Sequence, residues 1–174
     1  AVCQDLTDAG YLDLIRSSTG LVIDPYFSGT KFAWLFREGG IPDGPDTALG
    51  TIDSWLIYKL TGGKVHVTEP SNASRTLLFD IDELAFSEEL CDVLGVPLHA
   101  LPDVSTTSGR FGETTDEFLF GAGIPISGAA GDQQAALFGQ ACFAPGDAKN
   151  TYGTGSFVLL NLGSERPKHT EGLL

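Results

Sequence analysis

Residues 124–139, with the sequence IPISGAAGDQQAALFG, decide the fold class of this chain. Their first part is a run of small and apolar residues that predicts a buried strand, and a Gly-Asp turn and a helix-forming segment follow it. In open α/β folds, a carboxylate just beyond the carboxyl end of a strand lies where ligands bind. The helix N-terminus next to it also favours anionic groups. Asp132 is therefore a candidate functional residue, although a helix cap accounts for it equally well from this segment alone.

A glycine-rich turn follows further along the chain. Residues 149–161 predict two short strands joined by Gly153, Thr154 and Gly155, since such glycines accept the positive φ angles of tight hairpins. Exposed backbone N–H groups and a threonine hydroxyl in such a turn can hold phosphate oxygens. Most hairpins of this kind bind no ligand, so the turn alone is a weak signal. Together with a carboxylate at the end of a strand, it suggests phosphoryl transfer.

Blocks of sequence with a recognisable pattern are spread over nearly the whole chain. They are residues 20–31, 50–57, 65–68 with 72–76, 124–139 and 149–161. In this order they resemble the FGGY family of carbohydrate kinases, and within it the members that phosphorylate glycerol. Residues 26–38 also resemble the first signature of that family, with Ser28, Lys31 and Trp34 at its spacing. An ordered set of blocks is far more specific than any single motif.

The resemblance implies an α/β chain with the actin/hexokinase-like (ribonuclease H-like) fold, in which two domains flank a cleft. Residues 1–140 would form the C-terminal part of the FGGY N-terminal domain. Residues 141–174 would form the hinge and the first hairpin of the FGGY C-terminal domain. The chain contains no methionine. With the resemblance, this implies an internal piece of a longer polypeptide, and we expect the piece alone to be inactive.

The activity that the resemblance implies is ATP-dependent phosphorylation of glycerol to glycerol 3-phosphate, with ATP and Mg²⁺ as cofactors. Two alternatives stay open. One is a kinase of another polyol or of a ketose sugar, and the other is a non-catalytic module that only binds or assembles. Residues 72–76 and 151–155 fit the members that act on glycerol better. The resemblance also implies a homo-oligomer, either a dimer or a tetramer.

The resemblance also carries roles over to single residues. Asp132 would be the general base that accepts the proton of the substrate hydroxyl, and it would help to hold Mg²⁺ through water. The residues that would contact the polyol, besides Asp132, are Tyr26, Gln133 and Phe157. The residues that would hold the phosphates of ATP are Gly153, Thr154 and Gly155.

The composition limits the partners that we expect. The formal net charge is −13, from 23 acidic and 10 basic side chains. Nucleic acids require clustered Lys and Arg, and anionic membranes attract basic segments, so we expect neither as a partner. The three cysteines are widely spaced and include no Cys-x-x-Cys pair. This spacing argues against a disulfide framework or a structural zinc site and favours a cytoplasmic location.

Apolar periodicity and turn residues predict the other elements. The predicted helices are residues 4–18 with an interruption near Gly10, residues 31–38, residues 47–61, and a helix capped by Ser87. The predicted strands are residues 64–67, 110–113, 124–129 and 157–161, and residues 41–46 form a loop. In the helix at 47–61 the apolar residues Leu49, Ile52, Leu56 and Leu60 recur at near-helical spacing. Trp34 and Trp55 lie on apolar helix faces and are expected in the core.

Residues 113–123 are a candidate regulatory loop. Some bacterial members of the family carry here an arginine-containing loop that binds fructose bisphosphate, or a histidine that a phosphocarrier protein phosphorylates. This loop instead has three carboxylates, on Glu113, Asp116 and Glu117, and no Lys, Arg or His. Because a phosphorylated sugar needs cationic or amide donors, we expect neither form of regulation through it.

Overall fold

The computed structural model describes residues 1–116, 121–153, 155–164 and 166. Thr154 and part of the loop at 113–123, which carry two of the expectations above, lie outside the described residues. The chain consists of two compact units, Ala1–Ala129 and Ala130–Leu174. It contains both helices and strands, as predicted for an α/β chain. The elements are α1 (Val2–Asp8), α2 (Leu12–Thr19), α3 (Ser28–Arg37), α4 (Ile52–Leu60), β1 (Val67–Thr68), α5 (Pro70–Ala73), β2 (Phe79–Asp80), β3 (Ala85–Phe86), α6 (Glu88–Leu94), β4 (Asp103–Val104), β5 (Ser108–Glu113), β6 (Pro125–Gly128), α7 (Asp132–Gly139), β7 (Ala148–Tyr152) and β8 (Ser156–Leu160).

The core of the first unit is built mainly by its helices. Leu6 of α1, Ile15 of α2, Phe32 of α3 and Leu90 of α6 are buried in one apolar cluster. Helical spacing places such residues on one side of each short helix, so the helices bury those sides together. Full burial of an apolar side chain of this size contributes about 1.5–3 kcal/mol. This cluster is therefore the main source of stability in the first unit.

Several local predictions are confirmed. Gly10, with φ of 81°, separates α1 from α2. The Ser87 hydroxyl accepts a hydrogen bond from the Leu90 N–H at 3.3 Å and so caps α6, which ends at Gly95 in the left-handed conformation. Residues 41–46 contain no helix or strand. Each of these features depends on neighbouring residues alone, which is why the sequence predicts them.

The predicted helix at 47–61 is shorter than expected, and only part of its predicted apolar set is buried, since Leu49 lies in the core. α4 begins at Ile52, because residues 47–51 are not helical. Ile52 and Leu56, which recur at near-helical spacing, are exposed. The side chains that α4 buries are Asp53, Ser54 and Ile57.

Hydrogen bonds of Asp53 explain which side of α4 is buried. Its carboxylate accepts from the hydroxyls of Thr51 and Thr68, and Thr68 belongs to β1. These bonds, together with Ile57, which is buried in one cluster with Val67 of β1, hold this side of the helix against the strand, and Ile52 and Leu56 face outward. Trp34 and Trp55 are also 48% and 56% exposed. The prediction that both tryptophans lie in the core is therefore wrong.

The strands of the described residues form four two-stranded sheets. β1 pairs with β4 in parallel, and the pairs β2–β3, β5–β6 and β7–β8 are antiparallel. The predicted strand at 64–67 is present only as β1. β6 lies within the predicted strand at 124–129, but it is largely exposed rather than buried. Its small residues give it little apolar surface, and its one sheet partner is β5.

The cysteines are free thiols, and one of them is buried in the core. Burial, and then the nearby carboxylates of Asp92 and Glu88, raise the pKa of the Cys91 thiol to about 11. Because the thiolate is the reactive form, Cys91 is chemically inert near neutral pH.

Among the described residues, no helix has both the length and the apolar character needed to cross a membrane.

A close backbone contact explains Gly29, which lies in the first turn of α3. Its N–H donates to the Thr76 carbonyl at 2.7 Å. A Cβ at this position would lie 2.3 Å from that carbonyl oxygen and 2.9 Å from Leu94 Cδ2. We expect Gly29→Ala to lower the free energy of unfolding by about 1–3 kcal/mol, the usual range for overpacking. Urea unfolding of this chain measures the change.

Gly44→Ala is the matched control, because no heavy atom lies within 4 Å of the Cβ position at Gly44. This variant should change the unfolding free energy by less than about 0.5 kcal/mol. Equal losses in the two variants would contradict the steric explanation.

Candidate functional site

Asp132 lies at the start of α7, in the second unit. It is the first residue of α7, and the N-cap is the preceding Gly131. Asp132 is therefore not the N-cap, which was the alternative role that the sequence left open. The Asp132 carboxylate is exposed and lies in the first turn of the helix. It is therefore available to accept a proton from a ligand hydroxyl.

Gln133 is the next residue and is half-buried. Its Nε2 donates to Asp132 Oδ2 at 3.2 Å. Its Oε1 accepts a hydrogen bond from the Nζ of Lys149, on β7. The carboxylate and the amide that were predicted separately therefore form one hydrogen-bonded pair, with a lysine behind them.

Lys149 is a site residue that the sequence reasoning missed. Its side chain is only 2% exposed, and its Nζ also donates to Thr151 Oγ1 at 2.7 Å. Alternate residues of a strand point to the same face, so Lys149 and Thr151 share one face of β7. The sequence offered only a weak signal for this role, namely a lysine two residues before a threonine in a predicted strand.

The predicted hairpin at 149–161 is confirmed. β7 and β8 pair in register from Ala148 with Leu160 to Tyr152 with Ser156. The Gly153 N–H donates to the Gly155 carbonyl at 2.9 Å across the turn. Among the described residues, no heavy atom lies within 4 Å of the Cβ position at Gly153.

Phe157 lies on β8 opposite Thr151. It is 39% exposed, so it is not the ordinary core residue that its strand position alone would suggest. Its exposed ring can pack against the carbon chain of a ligand. Thr154, the remaining residue predicted for the turn, lies outside the described residues.

Tyr26 belongs to the first unit and is 63% exposed. Its backbone is held from two sides, since its N–H donates to Asp24 Oδ1 and its carbonyl accepts from Lys31 Nζ, each at 2.7 Å. Lys31 thus has a structural role. Because the phenol is exposed, Tyr26 is not a core tyrosine, and its hydroxyl is free to meet a ligand.

An arginine from the block at 72–76 supports this turn. The Arg75 guanidinium lies 5.0 Å from the centroid of the Phe27 ring, and Phe27 packs edge-to-face against Tyr26. Burial lowers the pKa of Arg75, while the nearby Tyr26 phenol acts in the opposite direction. An arginine stays charged in either case. Arg75 therefore brings a cation close to a residue that was predicted to contact the substrate.

A buried carboxylate that the sequence reasoning did not single out lies between the two parts of the block at 65–68 and 72–76. Glu69 is fully buried and accepts hydrogen bonds from Ser71, Asn72 and Thr107. Burial by itself raises the pKa of Glu69, but these hydrogen bonds together outweigh it, so the pKa lies below its ordinary value of 4.5. Glu69 caps α5 and ties it to the segment before β5. This part of the resemblance therefore has a structural basis.

No group of three or more His, Cys, Asp or Glu side chains in the described part of the chain is placed to hold a metal ion. Asp132 is exposed at the start of a helix, where its oxygens can accept a hydrogen bond from a water molecule that is bound to a cation. An aspartate that meets the metal only through water fits Mg²⁺, which usually keeps several of its waters.

The sequence profile of the FGGY family of carbohydrate kinases, N-terminal domain, matches residues 1–139. A glycerol kinase of Bacillus licheniformis is 56% identical to this chain over 177 aligned residues. That alignment covers 99% of this chain and 36% of the relative. The chain therefore spans about a third of the length of the curated relatives that it matches.

Two solved structures show the same architecture. A glycerol kinase of Plasmodium falciparum with ADP superposes with a TM-score of 0.83 at 36% identity, covering 91% of this chain and 33% of that one. A ligand-bound xylulose kinase of Lactobacillus acidophilus superposes with a TM-score of 0.79 at 20% identity, over 90% of this chain and 32% of the other. The second likeness concerns the fold alone.

Proposed function

This chain belongs to the FGGY family of carbohydrate kinases, and we propose that it is part of an enzyme that transfers a phosphoryl group from ATP to glycerol. Its actin/hexokinase-like fold is the one predicted from the sequence. The observation that carries the proposal is the 56% identity to a glycerol kinase over nearly the whole chain. The protein that contains this chain with the rest of the fold is called the complete kinase below.

Asp132 is the proposed general base. A primary alcohol is a poor nucleophile, and a carboxylate within hydrogen-bond reach can accept its proton as the bond to phosphorus forms. Its exposure and its place at the start of α7 support this role. Its hydrogen bond from Gln133 fixes one carboxylate oxygen, which leaves the other for the substrate hydroxyl.

Three further residues are proposed to bind glycerol. The second amide hydrogen of Gln133 Nε2 can donate to a glycerol hydroxyl, since one of the two is directed to Asp132. The exposed phenol of Tyr26 supplies another hydrogen-bonding group, and the exposed ring of Phe157 supplies an apolar surface for the carbon chain. Each of these groups suits a small polyol, whose hydroxyls need hydrogen-bonding partners and whose short carbon chain needs an apolar surface.

ATP is the proposed phosphoryl donor, and the ADP bound to the Plasmodium falciparum enzyme supports it. The turn with Gly153, Thr154 and Gly155 would hold its phosphates by backbone N–H groups and a hydroxyl. Asp132 would hold Mg²⁺ through water. When bound, the cation neutralises charge on the phosphates. A homo-oligomeric state, a cytoplasmic location, and the assignment of residues 141–174 to the hinge and the first hairpin of the C-terminal domain stay predictions.

A phosphorylation assay of the complete kinase with a panel of polyols and ketoses tests the proposal. We expect kcat/KM to be highest for glycerol. A clear preference for a five-carbon ketose would identify that sugar, and not glycerol, as the substrate. No phosphorylation of any member of the panel, in a folded protein, would favour the non-catalytic alternative.

Thr154→Val tests the phosphate-binding turn. The substitution keeps the shape of the side chain and removes one hydroxyl. We expect a loss in kcat/KM for ATP equivalent to about 1–3 kcal/mol, the range for a lost hydrogen bond to a charged group, with glycerol binding nearly intact. Steady-state kinetics with each substrate varied in turn measures both effects. A selective loss of glycerol affinity would contradict the prediction, because it would place Thr154 beside glycerol and not beside ATP.

A further inference from the structure

Lys149 is a buried cation that the proposed mechanism does not use. Its side chain is 2% exposed, and no ion pair with a carboxylate is found for it among the described residues. Its hydrogen-bond acceptors are two neutral oxygens, Gln133 Oε1 and Thr151 Oγ1. Burial of an ammonium without an opposite charge is unfavourable for stability. A purely structural explanation of this lysine is therefore weak.

The contact with Lys149 determines how the Gln133 amide is oriented. An ammonium can only donate hydrogen bonds, so the group that faces it must be the amide oxygen. The NH₂ group of Gln133 then points the other way, and its Nε2 lies 3.2 Å from Asp132 Oδ2. A charge-assisted bond of this kind is stronger than one between neutral groups. The reversed amide would place two donors together and lose the bond to Asp132.

Thr151 holds the lysine in place. It lies two residues after Lys149 on the same strand, and its hydroxyl accepts from Nζ at 2.7 Å. β7 is paired with β8 along its whole length, which makes it a rigid support for the lysine. A continuous set of hydrogen bonds therefore runs from Thr151 through Lys149 and Gln133 to Asp132.

We propose that Lys149 is a positioning residue for phosphoryl transfer, which orients the Gln133 amide toward Asp132 and the bound polyol. The proposal rests on the function proposed above. Lys149 is buried behind Gln133 and acts through it. Its removal should affect the binding and turnover of glycerol more than the binding of ATP.

Lys149→Met in the complete kinase is the first test, since methionine keeps the length of the side chain and cannot donate. We expect kcat/KM for glycerol to fall by about 10–100-fold, because misplaced groups can reduce rates by up to that factor. The KM for ATP should change by less than about twofold. Lys64→Met, at an exposed lysine, is the matched control and should leave all these constants unchanged. A loss confined to the KM for ATP would overturn the proposal.

A double-mutant cycle separates positioning from a general loss of stability. If Lys149 acts through Gln133, Lys149→Met should reduce kcat/KM for glycerol much less in the Gln133→Ala background than in the wild type. The same fold loss in both backgrounds would overturn the proposal. Lys149→Gln, which keeps a neutral donor, should restore part of the activity lost in Lys149→Met. It also replaces Lys149→Met in every test if the latter does not fold.

A measurement without catalysis completes the test. In this 174-residue chain, the side-chain amide ¹H–¹⁵N signals of Gln133 should shift in Lys149→Met, with most backbone signals unchanged. Unchanged Gln133 signals in the folded variant would overturn the proposal. If the wild-type complete kinase does not phosphorylate glycerol, the proposed function fails, while this spectrum still decides whether Lys149 orients Gln133.

Discussion

Asp132→Asn in the complete kinase should lower kcat by about 10²–10⁴-fold, the usual range for a lost general base. The amide has nearly the same shape as the carboxylate, but it cannot accept the proton of a glycerol hydroxyl at neutral pH. It can still form hydrogen bonds, so the affinity for glycerol should change much less than kcat. Steady-state kinetics gives kcat, and fluorescence or calorimetric titration gives the dissociation constant of glycerol.

The control for this prediction is Asp46→Asn, which makes the same chemical change at an exposed position of the loop at 41–46. It should leave kcat unchanged. Turnover close to the wild-type value in Asp132→Asn would remove Asp132 from the catalytic role. A large loss of glycerol affinity with unchanged kcat would make Asp132 a binding residue only.

Glu69→Ala should lower the free energy of unfolding of this chain by about 3–4 kcal/mol. The side chain is fully buried, and its removal leaves backbone and hydroxyl donors of Ser71, Asn72 and Thr107 without their acceptor. An unsatisfied buried donor costs about 1–3 kcal/mol, and a lost N-cap about 0.5–2 kcal/mol. Glu69→Gln, which keeps one acceptor oxygen, should lose less. Urea unfolding at neutral pH measures both variants.

The same carboxylate makes stability depend on pH. Because the pKa of Glu69 in the folded chain lies below its ordinary value of 4.5, its ionisation stabilises the fold above that pH. The contribution is lost as the pH falls from 4.5 through the folded-state pKa. Glu69→Gln should therefore lose less stability than the wild type on acidification. The exposed Glu83→Gln is the control, and equal acid sensitivity in the wild type and in Glu69→Gln would contradict the prediction.

Residues close together in the sequence determined much of this structure. The left-handed Gly10 and Gly95, the Ser87 cap and the hairpin at 148–160 follow from backbone preferences and from hydrogen bonds within a few residues. The start of α7 at Asp132 follows from the same kind of signal. Such features form in the same way whatever the rest of the chain does, so a local pattern is sufficient to predict them.

Tertiary structure alone decided which side of each element is covered and which polar groups meet. The spacing of Ile52 and Leu56 predicted an apolar face of α4 that is exposed, because Ile57 and the hydrogen bonds of Asp53 to Thr51 and Thr68 hold another side of the helix against β1. Glu69 and Thr107 are 38 residues apart in the sequence and share a hydrogen bond. No local pattern carries information about such a partner.

The candidate site divides in the same way. The sequence by itself determined that Asp132 and Gln133 stand at the start of a helix and that a glycine turn follows further along. Only the tertiary structure brought the buried Lys149 against the Gln133 amide. The physical reason is that burial removes water from a charged group, which is unfavourable unless other groups of the folded chain form hydrogen bonds with it. Which partner it finds depends on how α7 packs against the β7–β8 hairpin.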